Sequence, residues 1–197
     1  MLERDYDLIA IGASAGGVTA VRRLLAAIGP EQKAAIVVVQ HIPPTARIDV
    51  GLIYHTRGGR PVFEAEDKMP IEPGKVYMAA PGYHLLIEKD HSLALTQDEP
   101  VNHSRPSIDV FFESCARVYG ANAIGIVLTG ANRDGAKGLS CLKACGGLAI
   151  VQEPADAEHD AMPLAAIASA DPDFVLPLVK IGELLSHHAT VATEVHP

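Results

Sequence analysis

Serine, histidine and aspartate together can turn a hydroxyl into a nucleophile, and this sequence places one of each just past an apolar run. Ser14 stands in Gly12-Ala13-Ser14-Ala15-Gly16-Gly17, directly after the run from Tyr6 to Ile11. Small residues on both sides allow a sharp strand-to-helix turn that holds a serine hydroxyl clear of the backbone, the arrangement of a nucleophile elbow. The N–H of Ala15 or Gly16, at the start of the next helix, would then face a developing oxyanion. A serine hydroxyl attacks poorly unless a base takes its proton, so the reading demands a histidine. His41 follows Ile36-Val37-Val38-Val39-Gln40 without a gap, and an imidazole can act as both base and acid near neutrality. Asp134 lies in Thr129-Gly130-Ala131-Asn132-Arg133-Asp134-Gly135, after the run from Ile124 to Leu128. A carboxylate there would fix the histidine tautomer and stabilise the imidazolium.

Each residue also has a plainer use. The Gly-rich turn could serve only to let a helix pack closely on a sheet. It could also be a degenerate dinucleotide loop, although that fingerprint needs glycine at position 14 and an acidic residue near the end of the next strand, where Gln40-His41 stands. His41 could simply hydrogen-bond its own turn, and Asp134 could cap the helix before Ala136 to Ala144. The order Ser–His–Asp differs from the Ser–Asp–His order of α/β-hydrolases, so the elbow does not import that fold.

The elements that would bring the three together follow from periodicity. Strands are expected at Tyr6 to Ile11, Ala34 to Val39, around Val62-Phe63, Lys75 to Ala79, Ala123 to Leu128, Gly147 to Val151 and Phe174 to Leu176. Helical spacing marks Val18 to Ile28, Ile48 to Arg57, Ser107 to Tyr119 with Ser107 as cap, Asp134 to Ala144, Met162 to Ala168 and Lys180 to His187. His84 to Glu88 and Ser92 to Gln97 read as a hairpin. The expected fold is therefore α/β: a three-layer αβα sandwich with a mostly parallel, doubly wound sheet and an antiparallel hairpin at one edge. Residues 1–197 read as one domain, with a frayed tail from about 189. Ser14, His41 and Asp134 then all lie at the carboxyl edge of one sheet, where ligands bind in such folds.

Composition narrows the classes. The net charge of −8, from 16 Lys+Arg against 24 Asp+Glu, argues against a phosphate-backbone binder. Aromatics are 5% and Trp is absent, so the core must be aliphatic, as strands buried on both faces require. No run approaches the ~18 apolar residues of a membrane span, and the start lacks the pattern of a signal peptide. A cytoplasmic location is expected, with Cys115, Cys141 and Cys145 as free thiols. No metal or other cofactor is called for. Arg105 is a secondary candidate for orienting substrate or docking an acidic surface, against a plain loop salt bridge. His84, His103 and His159 read as ordinary surface or packing histidines.

Motifs along nearly the whole chain resemble the catalytic domain of the chemotaxis protein-glutamate methylesterase family. They are Ile11-Gly12-Ala13-Ser14-Ala15-Gly16-Gly17, Val39-Gln40-His41-Ile42-Pro43-Pro44, Ala80-Pro81-Gly82-Tyr83-His84, Arg105-Pro106-Ser107-Ile108-Asp109-Val110, Leu128-Thr129-Gly130 with Asp134-Gly135, and Met162-Pro163 with Ala166. The resemblance implies Ser14 as nucleophile, His41 as base and Asp134 as its orienting acid. It also implies hydrolysis of γ-glutamyl methyl esters on chemoreceptor helices, often with deamidation of receptor glutamines. Methyl-accepting receptor helices would be partners. Typical family members carry an N-terminal receiver domain, whereas here the first strand begins close to Met1, so the expectation is either a stand-alone catalytic domain, with a separate response regulator acting in trans, or a piece trimmed from a longer chain. Ala15 stands where the family commonly has threonine, and Gly130-Ala131-Asn132 where it has Gly-Met-Gly. The remaining classes are a receptor-binding signalling module without turnover, a scaffold without an active centre, and a nucleotide-binding α/β protein.

Overall fold

Alternation along the central strands decides the architecture. In β1 (Leu8–Ala13), Leu8 and Ala10 join one buried cluster, while Ile9, Ile11 and Ala13 join another. A strand whose successive side chains are all buried must be covered on both faces, and that is the three-layer arrangement found in this computed structural model, which describes residues 4–43, 49–54, 56 and 59–186. After β1 come α1 (Gly17–Ala27), β2 (Ala35–Gln40), α2 (Val50–Ile53), β3 (Val62–Glu64), β4 (Val76–Met78), β5 (His84–Ile87) and β6 (Leu93–Thr96). Then follow α3 (Ile108–Val118), β7 (Ala123–Val127), α4 (Ala136–Ala144), β8 (Leu148–Gln152), α5 (Ala161–Ala170), β9 (Phe174–Leu176) and α6 (Leu178–Ser186).

The main sheet has seven strands in the order β3-β4-β2-β1-β7-β8-β9, and every pairing in it is parallel. From β1 the chain builds outward through β2, then crosses back to add β7, β8 and β9 on the other side. The carboxyl end of β1 is thus the switch point of a doubly wound sheet, where two successive loops part and leave a crevice. Val21, Leu24 and Leu25 of α1 and Ile181 and Leu185 of α6 cover one face. Phe111 and Phe112 of α3, Leu139 and Leu142 of α4, and Met162 of α5 cover the other. Each of these large side chains contributes roughly 1.5–3 kcal/mol on leaving water.

The expected elements are present, with two differences. The second helix is a single turn, α2, held by the Asp49 side chain on Leu52 N–H. Ile48 and Arg57, the bounds expected for it, lie outside the described residues, as does the tail from 189. The hairpin is present, but it is its own two-stranded sheet, β5 against β6, rather than an extension of the main sheet. The cause is where its apolar side can go. Leu85, Ile87 and Leu93 are buried in the same cluster as Phe111 and Phe112, so the hairpin packs on α3. The Ser114 hydroxyl of α3 accepts the Ile87 N–H at 3.0 Å, which fixes the contact. Among the described residues, no helix is long and apolar enough to cross a membrane.

α3 and α4 approach so closely that Gly138 has no room for a side chain. A Cβ there would lie 2.7 Å from the Asp109 carbonyl oxygen and 2.8 Å from Phe112 Cβ. Alanine would gain roughly 1 kcal/mol in helix propensity, but it would wedge apart backbone that cannot yield, at a cost of about 1–3 kcal/mol. Gly138→Ala is therefore expected to lower the unfolding free energy by up to about 2 kcal/mol in a urea titration; a more stable variant would show that the contact relaxes freely.

Candidate active site

Three strand ends carry the site. Ser14 follows β1 and donates its N–H to Thr129 O at 3.0 Å, which ties it to the loop after β7. His41 follows β2 and donates its N–H to Ala13 O at 3.0 Å. Asp134 comes from the loop between β7 and α4. The side chains meet in a chain: His41 Nδ1 is 3.2 Å from Ser14 Oγ, and His41 Nε2 is 3.0 Å from Asp134 Oδ2. A carboxylate can only accept here, so Nε2 carries the ring proton and Nδ1 is left to accept from the serine hydroxyl. All three residues expected at the sheet edge are brought together.

Asp134 is fully buried and yet remains an acid on the ionised side. Burial pushes its carboxyl up. The His41 ring, the Asn102 amide, the Ile108 N–H and the Ser107 hydroxyl outweigh that by donating to it, and the carboxyl ends below the ordinary aspartate range. Oδ2 accepts from Ile108 N at 2.6 Å, while Oδ1 accepts from Ser107 Oγ at 2.8 Å, Asn102 Nδ2 at 2.9 Å and Asp109 N at 3.2 Å. Ile108 and Asp109 open α3, so the carboxylate occupies the N-terminal end of that helix, where unpaired N–H groups and the helix dipole favour negative charge. The expected alternative, a cap on the helix starting at Ala136, does not hold, since no side chain caps that helix. Ser107 is the cap of α3, as expected, its hydroxyl accepting the Val110 N–H at 3.5 Å; Asp134 adds its carboxylate to the Ile108 and Asp109 N–H groups from across the cleft, and the residue at the start of α4 is Gly135, with φ 93°. The exchange is reciprocal, because Asp109 in the first turn of α3 accepts the Gly138 N–H of α4 at 2.7 Å. Burial pushes the Asp109 carboxyl up, and the Asp134 charge adds to this against the N–H donors it receives.

Several residues that sequence reasoning passed over complete the arrangement. Gln40, 4% exposed, donates from Nε2 to both Ser14 O at 2.8 Å and His41 O at 2.9 Å, linking the two loops. A polar residue closing the otherwise apolar run Ala35–Gln40 was its only signal. Its Oε1 lies against Gly17, where a Cβ would collide with it. Asn102, in a left-handed conformation at φ 52°, bridges Asp134 and Asp109, donating to Asp109 Oδ2 at 2.8 Å. It lies in the irregular stretch between β6 and α3. Asn132 holds Asp134 N–H through Oδ1 at 3.0 Å, and its amide reaches His41 Nδ1 at 3.4 Å.

Gly12 acts by absence: a Cβ there would collide with Ile108, so its lack of a side chain lets the start of α3 reach β1. Gly16 is the true turn residue, left-handed at φ 76° and capping α1. Among the described residues, the N–H groups of Ala15 and Gly16 donate no hydrogen bond to another backbone group. Glu158 lies over this turn, its Oε2 2.9 Å from where a Gly16 Cβ would stand. Arg105 donates to the carbonyls of Gln97 at 2.9 Å and Asp98 at 3.0 Å, so it fastens its own loop. His159 is half exposed, with its ring 3.7 Å from Glu158, and His103 is a left-handed loop residue. His84, expected at the surface or in packing, is 1% exposed and hydrogen-bonded through both ring nitrogens. Cys115 is buried, Cys141 half-buried and Cys145 exposed, all free; burial pushes the Cys115 thiol well up. Among the described residues, no group of three or more His, Cys, Asp or Glu is placed to hold a metal ion.

Comparison with known proteins places this geometry in context. The sequence model of a family described as CheB methylesterase matches residues 9–185. A protein of Leptospira interrogans is 46% identical over 180 residues, covering 91% of this chain and 93% of its own length. The protein-glutamate methylesterase/protein-glutamine glutaminase of Hydrogenovibrio crunogenus is 38% identical over 182 residues, 91% of this chain and 48% of that protein. The chain thus spans about half the length of that relative. The crystal structure of the Thermotoga maritima CheB methylesterase catalytic domain superposes with a TM-score of 0.82 at 30% identity, over 92% of this chain and 98% of that one.

The charge state of Asp134 yields a pH prediction. Its folded carboxyl lies below its unfolded value, so its contribution to stability is present above about 3.9 and is lost as the pH falls through the depressed value. Asp134→Asn should therefore be less stable than the parent by about 1.5–3 kcal/mol at neutral pH, and the gap should close on acidification below the ordinary aspartate range. Urea titrations at several pH values read this, and a gap that stays constant would contradict it.

Proposed function

The chain belongs to the CheB methylesterase family, and from that premise we propose that it hydrolyses glutamate methyl esters on methyl-accepting chemoreceptor helices, with Ser14 as nucleophile, His41 as base and Asp134 as the carboxylate that orients it. The observation that carries the reading is the continuous chain from Ser14 Oγ through His41 to the buried, ionised Asp134. Side-chain amides of receptor glutamines are a second substrate for the same chemistry, as the paired name of the Hydrogenovibrio relative suggests. Receptor helices would be met from the cytoplasm.

The steps follow from the geometry. His41 Nδ1 takes the Ser14 Oγ proton as Oγ bonds to the ester carbonyl carbon, and the carbonyl π electrons move onto oxygen. The N–H groups of Ala15 and Gly16 face that oxyanion at the N-terminal end of α1. Asp134 does not take a proton; it holds Nε2–H and balances the imidazolium charge. As the oxyanion collapses, the carbon–methoxy bond breaks and His41 gives its proton to methoxide, which leaves as methanol. Water then attacks the acyl-serine with His41 again as base, and the C–Oγ bond breaks to return the serine hydroxyl and a glutamate carboxylate. The ester is neutral and the product anionic, so the net charge of −8 and Glu158 beside the turn favour release over rebinding.

Ser14→Ala is expected to abolish methanol release from a methyl-esterified receptor fragment while leaving the circular dichroism spectrum unchanged; a parent-like rate would sink the assignment. If Asp134 works through His41, Asp134→Asn should retain its fold and lose on the order of 10⁴ in kcat. A variant with lowered stability but near-parent turnover would instead reduce Asp134 to a helix cap.

A further inference from the structure

His84 is a buried imidazole that the chemistry above does not use, and both of its nitrogens are committed. Nδ1 accepts the Ser107 N–H at 3.1 Å, and Nε2 lies 3.1 Å from the Glu99 carbonyl oxygen. A backbone N–H can only donate and a carbonyl can only accept, so the ring proton is on Nε2. The two partners are the two ends of one loop. Between Glu99 and Ser107 runs the segment that carries Asn102, and Asn102 Nδ2 and Ser107 Oγ are both donors to Asp134 Oδ1, at 2.9 and 2.8 Å. The ring itself is fixed by β5, which is packed on α3 and tied to it again at Ile87.

We propose that His84 is a positioning residue for the catalytic centre: by clamping both ends of the 99–107 loop it holds Asn102 and Ser107 on Asp134, and through Asp134 it sets the His41 ring against Ser14. It touches neither substrate nor reacting atoms. Its effect belongs in kcat rather than KM, because a carboxylate displaced from His41 weakens transition-state charge balance without altering what binds the ester. Ser107 is the end that matters most. It is fully buried, its hydroxyl donates to Asp134, and its own N–H would be an orphaned buried donor without the imidazole. The hairpin that stands apart from the main sheet thereby acquires a use, since it presents His84 to the start of α3.

Two amides separate the two bonds. In His84→Asn the side-chain oxygen falls near the position of Nδ1 and can still accept from Ser107. In His84→Gln the amide nitrogen falls near Nε2 and can still donate to Glu99, but Ser107 N–H is abandoned. The expected result is a kcat for His84→Gln lower by on the order of 10- to 100-fold per folded molecule, with KM within a factor of about two. His84→Asn should keep the larger share of kcat. Unchanged kcat in both at reduced melting temperature would make His84 a purely structural packing residue and overturn the proposal. Equal losses, the reverse order, or a change confined to KM would overturn it as well. Should neither variant fold, the ring ¹⁵N spectrum of the parent at neutral pH decides: a proton on Nε2 with Nδ1 accepting supports the clamp, and a proton on Nδ1 refutes it. The proposal rests on the ester-hydrolase reading, whose own failure is visible separately as a parent that releases no methanol. Labelling of Ser14 by a serine-directed phosphonate needs no substrate and ranks the same three proteins.

Discussion

A carboxylate with no exposed surface is costly to keep ionised, by several kcal/mol if it is left uncompensated. Asp134 escapes that cost because five donors converge on it: two N–H groups from the first turn of α3, the Ser107 hydroxyl, the Asn102 amide and the His41 ring. The rest of the site follows from this constraint. A helix must begin within hydrogen-bond reach of a loop at the edge of the sheet, and it must stay there. Gly12 removes the side chain that would hold Ile108 away from β1, and Gly138 lets α4 close on α3. The reciprocal bond from Gly138 N–H to Asp109 fastens the two helices from the other direction. One buried charge thus sets the spacing of β1, α3 and α4.

The parallel sheet supplies the other half of the geometry. Adjacent parallel strands end at the same edge, so residues just past β1 and β2 are neighbours without any further device. Gln40 refines this by joining the carbonyls of Ser14 and His41. The Ser14–His41 separation is then set mostly by backbone, while the His41–Asp134 separation is set by side chains drawn from distant segments. The first needs only two adjacent strand ends and the Gln40 amide. The second depends on α3, on the 99–107 loop and on the hairpin behind it.

That division explains what was legible in the sequence. Strands such as Ala35–Gln40 and Ala123–Val127 announce themselves as apolar runs, and α3 announces itself by Ser107 and an apolar stripe. Ser14, His41 and Asp134 could be placed at one edge because chain order and strand direction suffice for that. The partners of Asp134 could not. Nothing in the local pattern around Asn102 or His84 signals a contact 32 residues away, or 23, across the molecule. Asp134 itself read as a cap for the helix that follows it, because capping rules are local, whereas its donors belong to a helix 26 residues earlier. The hairpin was recognisable by its alternation, but the surface it packs on is a tertiary fact.

The most direct test of this account is the reactivity of Ser14 itself. A serine hydroxyl hydrogen-bonded to an imidazole whose far nitrogen is held by an ionised carboxylate should react with a serine-directed phosphonate far faster than any other serine in the chain. Peptide mapping by mass spectrometry after brief exposure should find the adduct on Ser14. An intact, folded protein in which Ser14 is labelled no faster than the remaining serines would contradict it.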